Sequence, residues 1–325
     1  MTTDTRTDPA QPGLLPDGRT RTLLLAAAGF AVAVAAPHVL YPVFVMKVLC
    51  FALFACAFNL LLGFAGLLSF GHAAFFGGAA YVSAHAAKVW GFPPELAILA
   101  GTASAAMTGL LFGWLAIRRQ GIYFAMITLA LSQMVFFLAL QLPFTGGEDG
   151  IQAVPRGVLF GLVDLNDPLA MYWTVLGVCL FGFAVIRRAV HSPFGQVLKA
   201  IRENEPRAIS LGYRTERYKL LAFVLSAALA GMAGATKALV FQLASLTDVT
   251  WQMSGEAVLM TLLGGVGTLA GPVVGAALVV TLQNHLADSG VPVTVVTGFI
   301  FVVCVLLFRR GIVGEIEHRL RRRAP

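Results

Sequence analysis

The feature that most constrains this chain is a succession of apolar runs of about 20 residues, the length that a helix needs to cross the hydrocarbon core of a bilayer. Charged, glycine-rich or proline-containing segments separate the runs. Only 12% of the 325 residues are charged, whereas soluble domains carry about 25%. The pattern predicts an all-α, polytopic transmembrane helix bundle and excludes a soluble globular domain.

About ten candidate spans can be drawn, and the glycine-rich ones are expected to be broken or re-entrant. The predicted organisation is a disordered cytoplasmic tail over 1–21, a membrane domain over 22–308 and a basic cytoplasmic tail over 309–325. The candidate spans are 22–39, 41–62, 64–87, 94–117, 122–142, 169–186, 220–242, 253–269, 272–286 and 291–308.

The basic residues predict the orientation, because Lys and Arg collect in cytoplasmic segments. If both termini are cytoplasmic, all of the 23 basic residues face the cytoplasm except Lys47, Lys88, Arg156 and Lys237. The net charge of +7 is therefore an orientation signal, and it lies between apolar runs instead of on a basic stripe. We expect contact with membrane lipid and no nucleic-acid partner.

No motif for catalysis or cofactor binding is found in the sequence. The Gly-Gly-Val-Gly-Thr segment over 264–268 lacks the lysine of a phosphate-binding loop. Cys50, Cys56, Cys179 and Cys304 lie inside apolar runs without metal or disulfide spacing, and they are predicted to be buried core residues. We expect no catalytic residue, no metal and no cofactor, so energy for active transport would have to come from a partner.

The basic segment 187–219 predicts two short helices. Ser192 and Pro193 fit the N-cap and first position of one helix, and an apolar face follows at helical spacing. Pro206 begins the second helix, which Gly212 can end in a left-handed conformation. Two interpretations stay open: a solvated loop that fixes the topology, or a docking element for a soluble partner.

Six blocks of sequence, in order along the chain, resemble the branched-chain amino acid ABC transporter permeases, specifically the longer of the two paired permease subunits. The match is specific as a set, whereas each glycine-rich block alone is weak. The first block reads NLLLGFAGLLSFGHAAFFGGAAY. The blocks are 59–81, 119–129, 145–150, 200–205, 218–223 and 264–272.

The resemblance implies a permease subunit of an ATP-binding cassette importer in the bacterial inner membrane, translocating branched-chain or other hydrophobic amino acids by alternating access. It implies a second homologous permease subunit, two ATPase subunits that bind the ATP, and a periplasmic substrate-binding protein. The chain itself would not be an enzyme. Two alternatives stay open: the same architecture importing urea or short amides, and a stand-alone secondary transporter or channel.

The resemblance also implies that the loop 187–219 couples to the ATPase by inserting into a groove of that subunit. Pro206 and Ile209 depart from the small residues that are usual in this loop. The candidate coupling residues are Gly195, Arg202, Glu203, Glu205, Ala208 and Gly212.

The block 59–81 supplies the candidate substrate pathway. Its glycines have two competing explanations: close helix packing through small residues, or a discontinuous helix whose freed amides meet the substrate carboxylate. His72 alone is also explained as a hydrogen-bonded structural residue. The candidate pathway residues are Asn59, Gly63, Gly66, Ser69, His72 and Tyr81.

The periplasmic loop 143–168 carries a candidate gate or docking surface for the binding protein, made of Gly146, Gly147, Glu148 and Asp149. A plain turn explains these residues equally well. In both cases the glycines are expected to adopt positive φ angles.

Overall fold

The computed structural model divides into two compact units, Met1–Tyr41 and Pro42–Pro325. In the first unit, residues 33–37 are helical. The predicted spans 22–39 and 291–308 and both predicted tails lie largely outside the described residues. The structure describes residues 33–37, 40–287, 295–296, 298–299, 302–303, 306 and 311–315.

The second unit is helical through most of its described length. The strands are only two residues long, so the fold is the predicted all-α bundle. The helices are α1 Pro42–Asn59, α2 His72–Lys88, α3 Pro94–Ala116, α4 Ile122–Gln141, α5 Pro168–His191, α6 Pro193–Glu203, α7 Glu205–Ser210, α8 Thr215–Phe241, α9 Trp251–Gly264 and α10 Gly271–Ala287. The strands are β1 Ile151–Gln152, β2 Val158–Leu159, β3 Val163–Asp164 and β4 Leu243–Ala244.

Among the residues that the structure describes, five helical segments are long and apolar enough to cross a membrane. Helices α2, α9 and α10 are shorter, with 17, 14 and 17 residues. The predicted spans 64–87 and 253–269 are interrupted, because residues 66–71 are not helical and α9 ends at Gly264. Broken helices in the glycine-rich segments are thereby confirmed. The five long segments are Pro42–Ala65, Pro94–Ala116, Ile122–Gln141, Pro168–His191 and Thr215–Phe241.

Helix α8 is the central element, and it packs against α1, α2 and α3. Helices α9 and α10 pack against each other and against α1. Aromatic side chains fill the core, with the Phe54 and Phe76 rings 4.5 Å apart and the Phe75 and Phe223 rings 5.5 Å apart. Helix α3 approaches α8 closely at Gly101, which has no side chain. A Cβ atom at this position would lie only 2.8 Å from the Ala235 Cβ.

The segment 143–168, predicted as a loop, also contains short strands and single helical turns. Strand β1 pairs antiparallel with β4, which follows α8, so the segment is tied to the end of that helix. Strands β2 and β3 form a hairpin. The expected positive φ angles are confirmed at Gly146 and Gly147, at 77° and 63°.

Long-range contacts define two ends of the bundle. The α6 end comprises residues 60–71, 117–121, α6, α7 and residues 264–271, which are joined by hydrogen bonds from Asn59, Gln120 and Arg202. The β1 end comprises residues 85–93, 142–167 and 242–250, joined by the β1–β4 pair and by a 2.7 Å hydrogen bond from Lys88 Nζ to the Gln152 carbonyl.

Candidate functional site

Asn59, the last residue of α1, joins two helix breaks at the α6 end. Its Nδ2 donates to the Thr268 carbonyl at 2.8 Å, and its Oδ1 accepts from the Gly267 amide at 2.9 Å. The side chain is only 2% exposed. One buried amide therefore satisfies two backbone groups of the turn between α9 and α10, which have no helical partner of their own.

Glycines allow the two breaks to touch. A Cβ atom at Gly63 would lie 2.7 Å from the Gly267 nitrogen and 2.9 Å from its Cα. Gly63 lies in the turn of π-helix, Leu60–Ala65, that continues α1, and Gly66 ends this turn with φ at 73°. Such wide turns occur frequently at functional sites.

Arg202 of α6 bonds directly to this junction. Its Nη1 donates to the Gly63 carbonyl. A Cβ atom at Gly66 would lie 2.9 Å from Arg202 Cγ, so the side chain lies along the break in the chain. A cavity of about 360 Å³ is lined by Gly63, Phe64, Lys199, Arg202, Glu203 and Gly267. The predicted coupling residue Arg202 and the predicted pathway residues Gly63 and Gly66 are thus one cluster.

Glu205 ties α7 to the bundle. Its Oε2 lies 2.5 Å from Lys219 Nζ of α8 and accepts from Gln120 Nε2 at 2.7 Å. Lys219 is 4% exposed and Glu205 17%. The Glu205 carboxylate is therefore directed toward Lys219 of α8 and away from the outer surface of α7.

The predicted helices of the loop are confirmed, as are the N-cap position of Ser192 and the first helical position of Pro193, but the Ser192 side chain does not make the predicted cap. The Ser192 hydroxyl donates to the Ala189 carbonyl of the preceding helix at 2.7 Å and caps no amide of α6. The second helix, α7, has a side-chain cap, because Asn204 Oδ1 accepts from the Arg207 amide at 3.1 Å. Gly212 has φ at 87°, which confirms the left-handed end of the second helix.

Three large apolar side chains are exposed on α7 and the turn that follows it, beside the exposed Arg207 and Ser210. Ile209, Leu211 and Tyr213 are 56%, 69% and 41% exposed. The candidate coupling residues Gly195 and Ala208 are buried, whereas Glu203 and Gly212 are exposed. We call Ile209, Leu211 and Tyr213 the α7 apolar surface. Large exposed apolar groups in a charged loop mark an interaction surface.

The amides freed at the start of α2 are already bonded by the protein. Three hydroxyls from three segments accept from them, so these amides are not open to a carboxylate in this conformation. The pairs are Phe70 N with Thr128 Oγ1 at 3.1 Å, Gly71 N with Ser69 Oγ at 3.2 Å and Ala73 N with Ser254 Oγ at 2.9 Å.

His72 lies in the core, fully buried. Its Nε2 is 2.8 Å from Ser226 Oγ, and that hydroxyl donates to the Ala57 carbonyl at 2.5 Å. Because a hydroxyl has one hydrogen, Nε2 is the donor to Ser226. The Phe58 ring packs edge-on at 4.9 Å. This geometry favours the structural interpretation of His72, joining α1, α2 and α8.

Tyr81 lies near the β1 end beside a buried ion pair. Lys237 of α8 pairs with Asp248, and these side chains are 14% and 2% exposed. The Tyr81 hydroxyl and Asp248 Oδ2 are buried without hydrogen-bond partners among the described residues. Lys237 Nζ also lies 5.8 Å from the centres of the Phe76 and Phe241 rings.

The candidate gate residues lie at the β1 end. Gly146 and Gly147 make tight turns, and Glu148 and Asp149 are exposed. The preceding Phe144 stacks on His85 with ring centres 3.9 Å apart, which holds the segment against α2. Exposed acids on an anchored turn are accessible to a partner.

Comparisons with known proteins identify the family. A family model described as "Branched-chain amino acid transport system / permease component" matches residues 43–308. The chain belongs to this family. As a multi-pass membrane permease, it has the fold class and the family that its sequence predicts. The search of solved structures returned no match.

Individual relatives of the permease transport different substrates. This permease is 29% identical over 287 residues to the high-affinity branched-chain amino acid transport system permease protein LivM of Salmonella typhimurium. The match covers 81% of this chain and 67% of that protein. The Escherichia coli LivM is 28% identical over 286 residues, with the same coverage. The ribose import permease protein RbsC of Bacillus subtilis is 28% identical over 55% of this chain and 58% of its own.

The structure groups the predicted site residues of the permease differently from the sequence. Asn59, Gly63 and Gly66 join Arg202, a predicted coupling residue, at the α6 end, whereas Tyr81 lies toward the β1 end. The Lys237–Asp248 pair and the α7 apolar surface were missed. The sequence carried a signal for the α7 apolar surface, because Ile209 departs from the family pattern. It carried no signal that Asp248 is the partner of Lys237.

Proposed function

We propose that this permease is the transmembrane subunit of an ATP-binding cassette importer of the bacterial inner membrane, carrying branched-chain or other hydrophobic amino acids by alternating access. The bond from Arg202 to the Gly63 carbonyl carries the proposal, because it attaches an exposed loop helix to the break after α1. The names of the two LivM relatives support the substrate class.

The proposed assembly contains a second homologous permease, two ATPase subunits that bind the ATP and a periplasmic substrate-binding protein. The sequence supports ATPase partners, since it has no phosphate-binding loop. In the proposed topology about ten spans cross the membrane with both termini in the cytoplasm, which places the α6 end inside and the β1 end outside.

The α7 apolar surface is the proposed ATPase contact. Ile209, Leu211 and Tyr213 would enter the ATPase groove, while Glu203 and Gly212 lie at its border. Movement of α7 reaches α8 through the pair of Glu205 and Lys219, 2.5 Å apart. Buried Gly195 and Ala208 support this role from inside, since they let α6 and α7 pack against the bundle.

A second connection leads to the proposed substrate pathway. Arg202 joins α6 to Gly63, and Asn59 joins Gly63 to the turn between α9 and α10. Displacing α6 would therefore move two helix breaks together. Ser69, in the break before α2, and His72 and Tyr81 of α2 follow, with His72 as a structural member of the pathway wall. Gly146, Gly147, Glu148 and Asp149 form the proposed outer gate or docking site.

The test is ATP-dependent leucine uptake by proteoliposomes that contain the complete transporter. Ile209→Asp places a charge in the proposed apolar contact, so we expect uptake to fall at least tenfold and the ATPase subunits to be lost on purification. Ser210→Asp is the matched control, because the neighbouring side chain is also exposed but lies outside the apolar surface. Its uptake should stay within twofold of the unmodified protein.

Two outcomes separate the parts of the proposal. Unchanged uptake and ATPase retention in Ile209→Asp would refute the α7 contact. Leucine uptake by the permease alone, without ATPase subunits, would refute the importer assignment and favour a stand-alone transporter or channel. Urea uptake in place of leucine uptake by the complete transporter would overturn the amino-acid assignment only.

A further inference from the structure

The β2–β3 hairpin at the β1 end is compact and well defined. Its register pairs Val158 with Asp164 and Leu159 with Val163. Three residues, Phe160 to Leu162, connect the paired positions, and the first two have positive φ, at 49° and 71°. The Phe160 amide also donates to Glu95 Oε2 at 3.4 Å.

The tip of this hairpin is apolar and exposed. Leu162 is 87% exposed and Phe160 71%, while Val158 and Val163 are 44% and 41% exposed. The sequence from Gly157 to Val163 contains no charged or polar side chain. Turns in water normally carry Gly, Asn, Asp or Ser, so this composition indicates that the tip is not in bulk water.

The base of the hairpin lies against two membrane helices. Strand β2 contacts α3, and β3 contacts α5. A Cβ atom at Gly157 would lie 3.2 Å from Pro94 Cδ, at the first residue of α3. The Leu165 amide donates to the Gly157 carbonyl at 3.1 Å, and Leu165 is fully buried. The hairpin is therefore held at the level where α3 and α5 begin.

The neighbouring helix surfaces are those expected to face lipid. Leu96 and Leu99 of α3 are 46% and 61% exposed, and Leu169 of α5 is 42% exposed. Trp90, just before α3, and Trp173, in the second turn of α5, are 51% and 44% exposed. Exposed tryptophans near helix ends mark the boundary between lipid tails and headgroups.

We propose that the β2–β3 hairpin inserts its tip, Phe160 to Leu162, into the headgroup boundary of the lipid bilayer. Its apolar surface is continuous with the lipid-facing sides of α3 and α5. The polar groups near the hairpin already have partners in the protein. Glu95 accepts from the Phe160 amide, Asp164 accepts from the Asn166 amide, and Asp167 caps α5. The tip thus offers apolar area without the directional groups of a specific protein contact.

The experiment is spin labelling of the full chain in vesicles of equimolar phosphatidylethanolamine and phosphatidylglycerol. Leu162→Cys is labelled after the four native cysteines are replaced by alanine. Leu99→Cys is the lipid-facing reference, and Glu148→Cys is the matched aqueous control from the same end of the bundle. We expect collisions with oxygen at Leu162 to approach those at Leu99, and collisions with a water-soluble nickel complex to be several-fold fewer than at Glu148.

A label at Leu162 that meets the nickel complex as often as the label at Glu148 would overturn the proposal. A label shielded from both oxygen and nickel would also overturn it, since it would indicate a protein contact. The unmodified chain gives a second measurement through a phospholipid with a photoreactive group near its glycerol. Adducts on the peptide containing Phe160 and Leu162 are expected, and their absence alongside adducts on α3 would refute insertion.

Discussion

Both ends of this bundle contain a buried ion pair, Glu205–Lys219 at the α6 end and Lys237–Asp248 at the β1 end, but their other interactions differ. At the α6 end, Asn59 and Arg202 bond to backbone carbonyls beside glycine contacts and open cavities, of which two have volumes of about 360 and 390 Å³. At the β1 end, Lys237 and Asp248 form a buried ion pair, and β1 pairs with β4.

The difference indicates which of these contacts can rearrange. A hydrogen bond to a carbonyl beside water can be exchanged for a water bond at a net cost of about 0.5–1.5 kcal/mol. Separating a buried ion pair leaves an uncompensated charge and costs about 3–5 kcal/mol. We therefore expect the bond from Arg202 to the Gly63 carbonyl at the α6 end to separate more readily than the Lys237–Asp248 pair at the β1 end.

The largest expected effect is at the β1 end. Lys237→Ala leaves the Asp248 carboxylate buried without its cation, so stability should fall by about 3–5 kcal/mol. Thermal unfolding in detergent measures the loss. The control is the double variant Lys237→Met with Asp248→Leu, which removes both charges and should recover most of the stability. Equal losses in the single and double variants would contradict a charge-based closure of this end.

The second effect tests the glycine contact at the α6 end. In Gly63→Ala, the new methyl group would overlap the Gly267 backbone and the Asn59 side chain, so we expect a loss of about 1–3 kcal/mol. Gly78→Ala is the matched control, because its Cβ meets no atom within 4 Å. There the better helix propensity of alanine should leave stability unchanged or raise it by up to about 1 kcal/mol. The same unfolding assay compares the two, and equal stabilities would show that the breaks do not touch.

The smallest effect sharpens the comparison directly. Arg202→Ala removes the hydrogen bond to the Gly63 carbonyl, which can then accept a hydrogen bond from water in the adjoining cavity. The expected loss of stability is therefore about 0.5–1.5 kcal/mol. Uptake by the complete transporter should nevertheless fall strongly. Arg207→Ala, an exposed arginine on α7, should change neither quantity. If Arg202→Ala costs as much stability as Lys237→Ala, the two ends do not differ in the way described.

Much of the fold could be predicted from local sequence. The glycines of the block 59–81 left two explanations open, close helix packing or a discontinuous helix, and the chain is not helical over 66–71. Pro193, Pro206 and Gly212 predicted two short helices in the basic loop, and α6 and α7 form there. These predictions succeeded because proline and glycine restrict or free the backbone at their own positions.

The arrangement of the site could not be predicted in this way. Asn59 bonds to Thr268, which is 209 residues away, and Arg202 bonds to Gly63, which is 139 residues away. Ser192 had the residue type and position of a cap, yet its hydroxyl bonds to Ala189 instead. A polar side chain forms hydrogen bonds with the groups that helix packing brings near it, and these groups cannot be identified from the local sequence alone.

The sequence by itself determined that this chain is a membrane permease of helical architecture, and its basic residues predict its orientation. Hydrophobic length and charge act on each segment separately, so they can be read along the chain. Only the tertiary structure decided that Arg202 bonds to the Gly63 carbonyl, that Lys237 pairs with Asp248, and that Phe160 and Leu162 are exposed. Polar groups in a low-dielectric interior must find partners, and those partners are set by which helices pack together.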